Sequence, residues 1–123
     1  MSSDRGSVSI VLAAGILVVL VMTLGVADLA RVLAVRSQAR TAADTAALAA
    51  AQELALPSGM DPSMLAADYA AANGATLVSC ACVAGTWEVI VVVEMSVGRL
   101  RLIPGSRTVT ARARAVVELP PEG

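Results

Sequence analysis

The residues with chemistry to offer in this 123-residue chain are two cysteines, nine arginines and ten carboxylates. There is no His and no Lys. Ser–His, Cys–His and His-ligated metal sites are therefore excluded, as are Schiff-base and Ser–Lys mechanisms. Two Cys cannot complete a zinc site within one chain. Glu88 and Glu94 lie six residues apart in an apolar, alternating stretch. In an extended strand that is roughly 20 Å, too far for an acid–base pair. No Gly-rich phosphate loop is present. The composition speaks against an enzyme, and no cofactor, metal or small-molecule substrate is expected.

Cys80 and Cys82 remain as a redox candidate. In an extended strand they share a face, with Cα atoms roughly 6.5 Å apart, at the outer limit of disulfide geometry. A local bridge, two thiols serving as small apolar side chains and an intermolecular bridge are all open. The spacing is not the CxxC of a redox motif. Between Met95 and Val117 lie Arg99, Arg101, Arg107, Arg112 and Arg114 and no acid. Alternation puts Arg99 with Arg101, and Arg112 with Arg114, on shared strand faces. Such a surface suits an anionic partner such as lipid headgroups. It also suits a solvated face that guards a sheet edge. Nucleic acid is disfavoured, because no aromatic platform accompanies the arginines.

What positions these residues is decided first by hydropathy. Hydrophobic types make up 57% of the chain and aromatics 2%, with a mean hydropathy of +0.76. Gly6 through Ala27 carries no charge, and twelve of those residues are Leu, Ile or Val. At 1.5 Å per residue the run spans roughly 33 Å, enough for a membrane's hydrocarbon layer. It is longer than the apolar core of a cleaved secretory signal. The three arginines after it outnumber the single Arg5 before it, which mildly favours a cytoplasmic C-terminal side.

Nothing breaks a helix between Ala27 and Leu56, and seven of the thirteen residues from Thr41 to Glu53 are Ala, the best helix former. One helix from about Ser7 to Leu56 is expected, with Asp28–Arg31 and Arg40–Asp44 each sharing a face. Its methyl surface either packs closely or merely supplies helicity. Asp61 and Pro62 fit the start of a second helix, and Asn73-Gly74 its stop; Leu65, Tyr69 and Ala72 would face inward. Strands are expected over Thr76–Val83, Thr86–Met95 and Thr108–Glu118, with a short piece at Arg99–Ile103. Trp87, Val89, Val91, Val93 and Met95 would line one face of the second. Strict alternation implies an antiparallel sheet with one wet face. The fold class is thus α+β: a long helix, a short helix and a small antiparallel sheet of three to four strands. The expected divisions are a leader at 1–6, a transmembrane helix at 7–27, an Ala-rich extension at 28–56, a small α+β domain at 57–119 and a flexible tail at 120–123.

Arg5-Gly6-Ser7-Val8-Ser9 before the apolar run, and the stretch Arg40-Thr41-Ala42-Ala43-Asp44-Thr45-Ala46-Ala47-Leu48-Ala49-Ala50-Ala51, resemble TadE/TadG-like pseudopilins of Tad/Flp pilus-assembly or secretion loci. Asn73-Gly74-Ala75, a strand bearing Cys80, and Val109-Thr110-Ala111-Arg112-Ala113 also fit, so the resemblance spans nearly the whole chain. It implies cleavage by a prepilin peptidase between Gly6 and Ser7. It implies a single-pass cell-membrane protein with a cytoplasmic N-terminus and an extracytoplasmic domain, against the mild charge bias. The implied partners are membrane lipid, other pilin-like subunits and the assembly machinery. Pilins commonly carry Glu at the fifth residue of the mature chain, where this sequence has Val11. A minor, initiating or membrane-resident subunit therefore suits it better than a major filament subunit. The alternative reading is an unprocessed bitopic anchor that presents its small domain to an anionic ligand.

Overall fold

The computed structural model describes residues 2–118, in the order α1 (Ser2–Ala55), α2 (Pro62–Ala72), β1 (Thr76–Ala81), β2 (Glu88–Arg99) and β3 (Ser106–Val116). The expected tail at 120–123 lies outside the described residues. The α+β class holds, with three strands in the order β1-β2-β3, antiparallel throughout.

Helix α1 is uninterrupted because no proline precedes Pro57. It begins at Ser2 rather than near Ser7, with Asp4 in its first turn, where a negative charge complements the helix dipole. At 1.5 Å per residue it is about 80 Å long. From Asp4 to Thr23 every residue is exposed, and packing against the rest of the chain begins at Leu24. Beyond that point the helix carries the head on one side. Ala39, Ala42, Ala43, Ala46, Ala47, Ala50 and Ala51 are buried with Val89, Val91, Val93, Ala66 and Ala70 in one cluster. The alanines are therefore core, and close packing is their role. Each fully buried valine contributes roughly 1.5–3 kcal/mol.

Helix α2 starts on Asp61, whose carboxylate accepts from the Ser63 amide at 2.8 Å and the Ser63 hydroxyl at 2.7 Å, with Pro62 at the first position. It stops at Asn73-Gly74. The Ala75 amide donates to Ala70 O and the Gly74 amide to Ala71 O, the Schellman arrangement that a glycine at positive φ permits; Gly74 has φ +78°. The inward face differs from expectation. Ala66 and Ala70 are the buried residues, Leu65 is half-buried, and Tyr69 and Ala72 are exposed. Against the flat methyl surface of α1, small residues allow the closest approach and push the larger ones to the rim.

In the sheet, Val89, Val91, Val93 and Met95 do line the dry face. Trp87 does not: it precedes β2 and is exposed. β2 runs on to Arg99 through a bulge between Ser96 and Gly98, where Gly98 takes φ +76°. This absorbs the start of the short piece expected at 99–103, whose remainder is a connection rather than a strand. β1 is shorter than expected and bulged between Leu77 and Ser79, and β3 begins at Ser106. Both are edge strands, and such irregularity and charge discourage edge pairing.

Candidate functional site

Two parts of the surface could do work: the bare apolar half of α1, and the place where the head meets it. Gly6 and Ser7 lie in the first turns of α1 and are exposed. A cleavage there needs local unwinding, which a glycine near a fraying helix end makes easier.

At the junction, β2 descends toward the apolar end of α1. The buried Asp28 carboxylate accepts from the Arg101 amide at 2.9 Å and the Leu102 amide at 2.7 Å. One turn further on, Arg31 Nε donates to Val97 O at 3.2 Å. Asp28 and Arg31 thus make separate ties, Asp28 to the β2–β3 connection and Arg31 to Val97 near the end of β2. That connection also closes over a cleft of about 470 Å³ lined by Gly25, Asp28, Leu29, Leu100, Leu102 and Arg107, among others. A third tie joins α1 to the end of α2, where the Gln38 side chain donates to Asn73 O at 3.3 Å and the Asn73 amide group donates to Thr45 Oγ1 at 3.1 Å.

The arginines do not form one patch. Arg99 ends β2 and Arg101 follows it, with Arg107 across the bulge from Gly98. Arg112 and Arg114 stand across from Val92 and Ile90, roughly 20 Å away along the strands. Arg114 is engaged by Glu88 at 2.6 Å. Facing Val92 and Ile90, these two stems shade apolar neighbours on the outer face of the sheet. Cys80 and Cys82 are joined by a disulfide, with Cα atoms 5.3 Å apart. This is closer than in a regular strand because Cys82 lies beyond the end of β1.

Sequence reasoning missed Glu53. Its buried carboxylate accepts from the Ser58 hydroxyl and amide, both at 2.7 Å, from the Gly59 amide at 3.0 Å and from the Met60 amide at 3.1 Å. The Ser58 hydroxyl foremost, then the three amides, hold this carboxyl below its ordinary value of 4.5. The Ser63 hydroxyl and amide do the same for Asp61, below 3.8. A depressed carboxylate contributes stability that is fully present above its unfolded value and is lost as pH falls through the folded one. We expect the head's thermal midpoint to be flat from neutrality to about pH 5 and to decline below it. Glu53→Gln should lower the neutral midpoint and shallow that decline. An unchanged pH profile in detergent-solubilised protein would contradict the role.

Helix α1 is long and apolar enough to cross a membrane. Among the described residues no group of acidic or sulfur side chains is arranged to hold a metal. A family model described as Putative Flp pilus-assembly TadE/G-like matches residues 6–53, which is α1 almost from end to end. No curated protein and no solved structure matches the chain significantly. The motifs downstream of the helix lie outside the matched residues, so the resemblance rests on a narrower stretch than expected. Over residues 6–53, the greater part of its long helix, the chain is similar to TadE/G-like Flp pilus-assembly proteins.

Proposed function

We propose that this chain is a non-catalytic minor pseudopilin, or a membrane-anchored component, of a Tad/Flp-like pilus-assembly or secretion apparatus. The observation that carries the reading is a coincidence of two features: the family match falls on one helix, and the uncharged half of that helix is exposed at every residue from Gly6 to Thr23. Exposed apolar surface on this scale needs lipid or other helices to cover it. Residues 7–27 would span the bilayer, with the N-terminus cytoplasmic and the head extracytoplasmic. Other pilin-like subunits would cover the same helix after extraction. Prepilin peptidase would cut between Gly6 and Ser7.

Mass analysis of the N-terminus of membrane-purified protein tests the processing. A chain beginning at Ser7 is expected, with Gly6→Val holding it at full length. An intact Met1 or Ser2 would favour the unprocessed anchor, a reading that Val11, in place of the usual acid, supports. Labelling of a thiol placed near Gly123 by an impermeant reagent on intact cells tests orientation; a shielded thiol would reverse it.

A further inference from the structure

The β2–β3 connection has an unusual composition for a solvent-facing loop. Leu102 and Ile103 are 46% and 38% exposed, and exposed Arg99, Arg101 and Arg107 surround them. No acid lies between Met95 and Val117. Asp28, the carboxylate held against the loop, has both oxygens occupied by loop amides. The depth of the tip is fixed by its contact with α1: Leu102 Cδ1 lies 3.7 Å from where a Cβ on Gly25 would stand. Gly25 belongs to the uncharged run, two residues and about 3 Å before its end at Ala27.

We infer that this loop is a second membrane contact: Leu102 and Ile103 enter the boundary of the acyl chains while Arg99, Arg101 and Arg107 meet the phosphates of anionic headgroups. The inference rests on the reading that residues 7–27 span the bilayer. If that segment ends at the hydrocarbon boundary, a side chain packed on Gly25 is at the same level. Apolar residues at that level with long cations above them match the interface's own layering. The partner is the lipid surface itself rather than a second protein, because the patch is continuous with the spanning helix and a leucine at that depth is already beside lipid. The head would then stand against the bilayer at a fixed angle instead of swinging on α1.

The chain's only tryptophan, Trp87, just precedes β2 at the end away from the β2–β3 connection and is a native control. Full-length protein is reconstituted at fewer than one chain per vesicle in phosphatidylcholine, with or without about one third phosphatidylglycerol. A single reporter is introduced as Ile103→Trp or Leu17→Trp in a Trp87→Phe background. Quenching by lipids brominated near the headgroup end of the acyl chains should be several-fold stronger at position 103 than at wild-type Trp87, with acrylamide quenching in the reverse order. Phosphatidylglycerol should strengthen the effect, and Arg99→Gln/Arg101→Gln/Arg107→Gln should remove that gain. A reporter at 103 as open to acrylamide as Trp87, with the one at 17 still lipid-quenched, overturns the loop contact alone. Lipid quenching at 103 that appears only at high protein density shows a contact between copies and also overturns it. An unquenched reporter at 17 fails the spanning reading, and the loop contact falls with it.

Discussion

Ala46→Leu should destabilise the head by about 2–3 kcal/mol and lower its thermal midpoint by roughly 10–20 °C. Ala46 is fully buried within the cluster that joins α1 to α2 and the sheet. Leu is nearly as good a helix former as Ala, so the cost does not lie in the helix. It arises because α2 also presents alanines at that cluster, Ala66 and Ala70, and the sheet presents valines. Three added carbon atoms enter a cluster made mostly of alanines and valines, which have little side-chain freedom to give way, so the helix must back away and the neighbouring methyl contacts loosen. Ala34→Leu, on the exposed side of the same helix, should change stability by no more than about 0.5 kcal/mol. Thermal unfolding followed by Trp87 fluorescence in detergent would measure both. Equal midpoints for the two variants would mean that the alanines serve helicity alone.

The elements of this fold were legible where one local rule sufficed. The alternation of Val89, Val91, Val93 and Met95 marks a strand with one dry face whatever packs on it. Asp61-Pro62 and Asn73-Gly74 mark helix ends through their own backbone chemistry. The uncharged run marks the bare half of α1 because lipid and water select residues so differently. Partner-dependent features were not legible. Periodicity assigns the larger apolar residues of α2 to the core, but the methyl surface of α1 reverses that choice in favour of Ala66 and Ala70. Trp87 continues the alternating pattern on paper, yet the strand starts one residue later. The four arginines singled out at 99, 101, 112 and 114 are close in sequence, and antiparallel pairing separates them into two groups. Asp28 and Arg31 look like a helix-surface pair at i,i+3 because nothing local shows that residues about 70 positions away offer them unpaired backbone groups.

Asp28→Asn should free the β2–β3 connection while leaving the sheet intact. Arg101 and Leu102 lie in a stretch with no ladder partners, so the two carboxylate oxygens of Asp28 are what holds their amides. Asn keeps one acceptor and turns an NH₂ group toward the second amide, setting donor against donor. Leu102 then loses the tie that keeps it on Gly25. Exchange of the Arg101 and Leu102 amides should accelerate roughly ten- to a hundredfold, while the Val91 and Val93 amides, deep in β2, keep their protection. Asp28→Glu, which retains both oxygens on a stem one methylene longer, should fall between. Hydrogen exchange of the detergent-solubilised chain separates these cases, and unchanged exchange at 101 and 102 in Asp28→Asn would remove Asp28 as the clamp. The placement has its own logic. On the proposed spanning of residues 7–27, a carboxylate one residue after the uncharged run would sit where solvation by water becomes scarce, and two backbone amides would take over part of that solvation. In return two amides of a loop without ladder partners gain acceptors. Each group satisfies the other, so Asp28 fastens the β2–β3 connection to α1 at the membrane-proximal end of a head that is held along the helix by its alanine core.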